Sequence, residues 1–171
     1  MNDSPMAPVT QAQNGAFLRQ GLGMIALVMV LDQISKWIVL DLFGETPHMI
    51  EVLSFFNLVL VWNQGISFGM FGGASAWGAW ILTGLALVIS VFLFFWMKKA
   101  ETRLAALSLA AIIGGALGNV IDRVRFGAVV DFLDFHVLGY HWPAFNVADS
   151  AITVGAAILI LESLFNKGEK P

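Results

Sequence analysis

Four apolar stretches separated by short mixed segments organise this chain. They run from Phe17 to Leu42, Ala74 to Met97, Leu104 to Arg123 and Phe145 to Phe165. The second is 24 residues without a charge, and the third has none from Leu104 to Ile121. A helix needs about twenty such residues to cross a ~30 Å hydrocarbon core. The pattern predicts an all-α membrane protein with four transmembrane helices in one domain, 17–171. Met1 to Ala16 is polar, holds two prolines and shows no periodicity, and reads as a disordered cytoplasmic tail. It is not a signal peptide, because the apolar run behind it contains Asp32 and Lys36 and lacks a small-residue cleavage site.

Two segments stay outside the spans. Glu45 to Gly73 is rich in β-branched and aromatic residues and is broken at Asn63-Gln64-Gly65. It predicts two short strands around that turn, on the outer leaflet. Val124 to Ala144 is amphipathic and aromatic, with a Gly139-Tyr140 turn and Pro143 ahead of the fourth helix. A short interfacial helix and an irregular flap are the two readings it allows.

Composition sharpens the picture. Of 171 residues, 58% are hydrophobic and only 12% charged, about half the charge of a typical soluble domain. A net charge of −3 leaves no basic stripe to neutralise phosphates, so nucleic acid is not an expected partner. The chain has no cysteine, which removes disulfides, thiolate metal sites and a thiol nucleophile. His48, His136 and His141 form no metal-binding pattern, and no cofactor is expected. Arg19, Lys98, Lys99, Arg103, Lys167 and Lys170 all fall on one side of a four-span chain. Both termini are therefore predicted to be cytoplasmic.

That topology gathers the intramembrane polar residues. The first and third spans run outward and carry Asp32, Lys36, Asn119 and Arg123 in their outer parts. At 1.5 Å per residue, Lys36 stands about 28 Å above Phe17. The fourth runs inward and opens with Asn146 and Asp149. Ionisable groups at membrane depth are functional candidates, and one outward-facing site explains a shared depth. Asp131 and Asp149 are the leading pair: two adjacent carboxylates share a proton, so one activates water while the other polarises a carbonyl. Each residue also has a structural alternative. Asn146 and Asp149 suit a helix start, Asp32 and Lys36 an i, i+4 ion pair, and Asp122 an ion pair with its neighbour Arg123. Asn119 and Arg123 suit helix packing and snorkelling, and Asn63 suits a turn, or a contact to a substrate carbonyl. Gly114 and Gly118 suit close helix packing. Glu162 and Asp41 are interfacial without a role. Spacing alone leaves Asp134 and Asp122 in competition with Asp131.

Five blocks in order, DQISK (Asp32–Lys36), NQGISFG (Asn63–Gly69), GGALGNVIDR (Gly114–Arg123), GAVVDF (Gly127–Phe132) and FNVADSAI (Phe145–Ile152), resemble the bacterial lipoprotein signal peptidases, or signal peptidase II. The resemblance implies four transmembrane helices with a small periplasmic β-cradle and an interfacial helix. It implies a catalytic pair at Asp131 and Asp149, with Asp32, Lys36, Asn63, Asn119, Asp122, Arg123 and Asn146 lining or bracing the site. It further implies an inner-membrane aspartic endopeptidase that cleaves diacylglyceryl-modified prolipoproteins before the lipidated cysteine. Acyl chains held in lipid would then position the scissile bond. One chain holds both aspartates, so a monomer suffices. A small proton-coupled transporter is the alternative, although it would place polar groups at the midplane. A membrane assembly subunit would leave paired aspartates without a purpose.

Overall fold

The computed structural model describes residues 11–44, 49–65 and 76–166. The apolar runs form α1 (Gln11–Phe43), α2 (Ala76–Met97), α3 (Arg103–Phe126) and α4 (Val147–Asn166). All four are long and apolar enough to cross a bilayer. Helix α1 starts at Gln11, so the last six residues of the expected tail are helical; Met1 to Thr10 lie outside the described residues. Thr102 caps α3, its side chain accepting the Ala105 N–H at 3.0 Å. The helix continues past Arg123 to Phe126, where Gly127 adopts φ 73° and donates its N–H to the Arg123 carbonyl at 2.9 Å. That left-handed position is one that glycine takes without a Cβ clash.

Helix α3 is the axis of the bundle and packs against each of the other three helices, whereas α2 leans mainly on α3. The Gly-rich seam of α3 allows this. A Cβ on Gly118 would sit 2.6 Å from an Asp32 carboxylate oxygen, and one on Gly114 2.9 Å from the Val28 Cβ. Around the connection from α2 to α3, Leu93, Met97, Ala106, Leu109 and Ile113 form one apolar core. At the opposite end, Val39 and Phe43 of α1 pack on Leu60, Val130 and Phe132 and dock a sheet onto the bundle.

That sheet has four antiparallel strands in the order β1-β2-β3-β4: β1 (Met49–Leu53), β2 (Phe56–Asn63), β3 (Val129–Val137) and β4 (Tyr140–His141). It corrects the sequence reading twice. The first hairpin turns at Ser54-Phe55, not at Asn63-Gln64-Gly65, which instead ends β2; the remainder of that predicted strand pair, 66–73, lies outside the described residues. In addition, Val124 to Ala144 forms no interfacial helix and no irregular flap. Its VVDFLDFHV run is β-branched and aromatic, a composition that suits a pleated surface, and it makes the second inner strand. The tip is Leu138-Gly139, one residue earlier than expected. Both residues have positive φ, 50° and 83°, as a two-residue hairpin turn requires.

Candidate active site

The sheet-bearing end of the bundle holds two polar clusters side by side. The first surrounds Lys36, whose side chain is 3% exposed. Its ammonium reaches Asp32 Oδ2 at 2.9 Å, Asp122 Oδ2 at 2.7 Å and Asn119 Oδ1 at 3.0 Å. All three of its N–H donors are thereby used. The expected Asp32–Lys36 pair is present but is only half of the arrangement. Asp122 does not pair with its neighbour Arg123; it turns inward to Lys36, because a buried carboxylate needs a buried cation and donors. The Val130 N–H supplies one such donor at 3.1 Å and Gln33 Nε2 another at 2.9 Å. Asp32 accepts the Ala148 N–H at 2.9 Å, an otherwise unsatisfied donor in the first turn of α4. The cluster therefore ties α1, α3, α4 and β3 together.

The second cluster holds Asp131 and Asp149. Asp131 projects from β3 and is fully buried. Asn146 Nδ2 donates to its Oδ1 at 2.7 Å and Asn63 Nδ2 to its Oδ2 at 2.8 Å. Asn63 is held for this by the Gly65 N–H, which bonds Asn63 Oδ1 at 2.8 Å. Asp149 accepts from Asn119 Nδ2 at 2.8 Å and from the Asn146 N–H at 3.3 Å. Asn146 Oδ1 in turn accepts the Asp149 N–H at 2.9 Å. Asn146 and Asp149 thus form a reciprocal cap at the start of α4, the structural role their spacing suggested. The same two residues also face Asp131. A bond from Asn146 Nδ2 to Asn119 Oδ1 at 3.2 Å closes the circuit, and Asn119 connects it to Lys36.

Burial, hydrogen bonds and charge act together on Asp131. Burial pushes its carboxyl up, the Asn63 amide pulls it down, and the nearby Asp149 charge pushes it up again; it ends at about 6. A carboxyl so placed is poised near neutrality for proton transfer. Arg123 lies within electrostatic reach of Asp149, Asp122 and Asp131. Its Nε is buried without a hydrogen-bond partner among the described residues, and the three carboxylates around it put Arg123 at the edge of the site. No group of three or more Asp, Glu or His side chains among the described residues is arranged to hold a metal.

Every site residue marked in the sequence falls in one of these two clusters or, for Arg123, at their edge. Asp134 does not: it sits three residues beyond Asp131 on β3, where strand alternation turns it to the other face. Gln33 was missed, although it lies inside the DQISK block, since its reach to Asp122 spans two helices. Glu162 also acquires a role, accepting the Thr102 hydroxyl that caps α3.

Three comparisons bear on this geometry. A family model described as Signal peptidase (SPase) II matches residues 24–165. The chain is 46% identical over 163 residues to a lipoprotein signal peptidase of Paraburkholderia phytofirmans, covering 94% of this chain and 93% of that protein. It is likewise 46% identical over 160 residues to one of Burkholderia thailandensis, covering 93% and 96%. Two solved bacterial membrane enzymes share the fold. One has a TM-score of 0.75 at 28% identity over 89% of this chain and 92% of that chain. The other has a TM-score of 0.70 at 31% identity over 85% and 92%.

Proposed function

The chain belongs to the signal peptidase II family, and from that premise we propose that it is an aspartic endopeptidase with Asp131 and Asp149 as its catalytic pair. It removes signal peptides from prolipoproteins whose cysteine already carries diacylglyceryl, cutting just before that cysteine. The observation that carries this reading is the nature of the donors. All four oxygens of Asp131 and Asp149 accept from neutral amide groups, while Lys36, the cation that bonds carboxylates nearby among the described residues, is committed to Asp32 and Asp122. Two close carboxylates without a bonded cation hold one proton between them.

The chemistry follows from that proton. The ionised partner takes a proton from water as the water oxygen attacks the scissile carbonyl carbon. The protonated partner donates to the carbonyl oxygen as charge develops there. Collapse of the tetrahedral species breaks the C–N bond: the proton taken from water goes to the departing amine of the lipidated cysteine, and a hydroxyl proton of the tetrahedral carbon returns to the carboxylate that had protonated the carbonyl oxygen. Asn63, Asn119 and Asn146 hold the pair, and Arg123 and Asn63 face the incoming backbone. The enzyme sits in the bacterial inner membrane with both termini cytoplasmic and the site near the periplasmic face, so the acyl chains stay in lipid. Each buried methylene contributes about 0.8 kcal/mol, which positions the scissile bond through a remote handle. One chain suffices for the reaction.

The transporter alternative loses its footing: the polar side chains gather at one end of the bundle, not at its midplane, and the family is one of peptidases. The test compares a diacylglyceryl-modified precursor with its unlipidated twin, using purified protein in detergent and mass spectrometry of the products. Cleavage of the lipidated form alone, immediately before the cysteine, is expected. Equal cleavage of both forms would remove the lipid from the account, and no cleavage of either would remove the function.

A further inference from the structure

Strand β2 carries one residue too many beside the candidate aspartate. On one side of the irregularity Val61 faces Asp131 and Asn63 faces Val129; on the other Leu58 faces Leu133 and Asn57 faces Asp134. Three steps along β2, 58 to 61, thus match two along β3, 133 to 131. Such a bulge re-aims side chains next to a site, but the extra residue is not intrinsically tied to one place. Migration of the bulge alone changes only the pairs it passes, but a slip of the whole of β2 by one residue slides the strand about 3.3 Å and turns its side chains to the opposite face. Asn63 would then lose Asp131.

The far side of the bulge is fastened by side chains that the reaction does not use. Asp134 is 6% exposed and Asn57 4%. Asn57 Nδ2 donates to Asp134 Oδ2 at 2.8 Å, and His141 Nδ1 lies 2.9 Å from both carboxylate oxygens. His136 stacks on His141 with ring centroids 4.7 Å apart, which joins β4 to the same fastening. Burial pushes the Asp134 carboxyl up, but the bonds from His141 and Asn57 outweigh it and hold the group below the usual carboxylate range. Both oxygens of the Asp134 carboxylate are thus engaged by side chains from two other strands.

We propose that Asn57, Asp134 and His141 form a register lock that holds β2 in place along β3 on the far side of the bulge and so positions Asp131 against Asn63. Asp134 is a positioning residue, not a catalytic one, and acts through the strand pair. The inference rests on the reading of Asp131 as a catalytic carboxylate. It also explains why a second aspartate lies so near on the same strand, yet faces away.

The full-length enzyme in detergent with the diacylglyceryl-modified precursor provides the test. Asn57→Ala, Asp134→Ala and the exchange Asn57→Asp/Asp134→Asn are compared with wild type, with Asp131→Asn alongside. A small misplacement of a reacting group costs up to about a hundredfold in rate. Each alanine variant is expected to lower kcat about tenfold or more and leave KM within about twofold. The alkaline limb of the kcat–pH profile should also move to higher pH, since Asn63 would no longer favour ionised Asp131. The other groups facing Asp131, namely Asn146 and Asp149 of α4, Lys36 of α1 and Arg123 of α3, remain in place and do not produce that shift. The exchange rebuilds the hydrogen bond with donor and acceptor reversed, and should return kcat to within about threefold of wild type. Alanine variants with wild-type kcat and pH profile would overturn the lock, as would losses that only track the unfolded fraction. If the alanine variants do not fold, the exchange decides: near wild-type kcat supports the lock, whereas a slow or unfolded exchange variant overturns it. Asp131→Asn separates the two levels. Wild-type cleavage by that variant defeats the site reading itself; its inactivity beside fully active Asn57→Ala and Asp134→Ala defeats the lock alone.

Discussion

Two aspartate pairs lie side by side at the sheet-bearing end of the bundle, and their partners differ. Asp32 and Asp122 close on one buried ammonium, that of Lys36. Among the described residues, Asp131 and Asp149 receive only amide N–H donors. The residue type is the same, and Asn119 touches both pairs. A cation bonds both members of the first pair and makes it a strut between α1, α3 and the start of α4. Neutral donors orient the second pair without a bonded cation, which is the setting the proposed proton-sharing pair requires. On the proposed reading, the neighbours of each carboxylate, and not the carboxylate itself, decide which pair does chemistry.

The difference can be broken at either side. Asp131→Asn or Asp149→Asn should leave the fold intact and cost about a thousandfold or more in cleavage of the lipidated precursor, the upper range for removing a general acid or base. A gel-shift assay with thermal unfolding of the same samples reads both quantities. Lys36→Met acts on the other pair. It strands two buried carboxylates, and removing one member of such a group costs about 3–5 kcal/mol of stability, visible as a large fall in unfolding temperature in detergent. Asn63→Ala produces the smallest effect. The lost amide had favoured ionised Asp131, so the group's pKa rises above about 6. The proton-sharing form, which disappears as pH rises through the upper apparent pKa of the pair, then persists to higher pH. The alkaline limb of the rate profile should move upward, and kcat at its optimum should fall about tenfold, as when the same contact is lost through a slipped strand.

Much of this was legible in the chain. Uncharged runs of span length are rare outside membranes, so the helices were plain, with boundaries shifted mainly where caps decide them, as at Asn146. The basic residues that suggested orientation and the five ordered blocks that suggested the family are local features. What stayed hidden is long-range. Asp122 reads as the partner of adjacent Arg123 because sequence shows only neighbours, whereas Lys36 is 86 positions away and meets it through α1–α3 packing. Strand β3 was obscured because it is buried on both faces along Val129–Phe132, so the alternation that marks a half-exposed strand is missing. Asp131 and Asp134 could not be ranked without that strand, since only its pleat shows that they point in opposite directions.

The most direct measurement is an infrared titration of the protein's carboxyl groups, in wild type, Asp131→Asn, Asp149→Asn and Asp32→Asn. Ordinary aspartates lose their protons near pH 4. Wild type is expected to show a protonated-carboxyl band that survives well above that range and fades as pH passes about 6. It should vanish in Asp131→Asn and Asp149→Asn and persist in Asp32→Asn. A band unchanged in the first two variants, or lost only in the third, would contradict the assignment of the shared proton to Asp131 and Asp149.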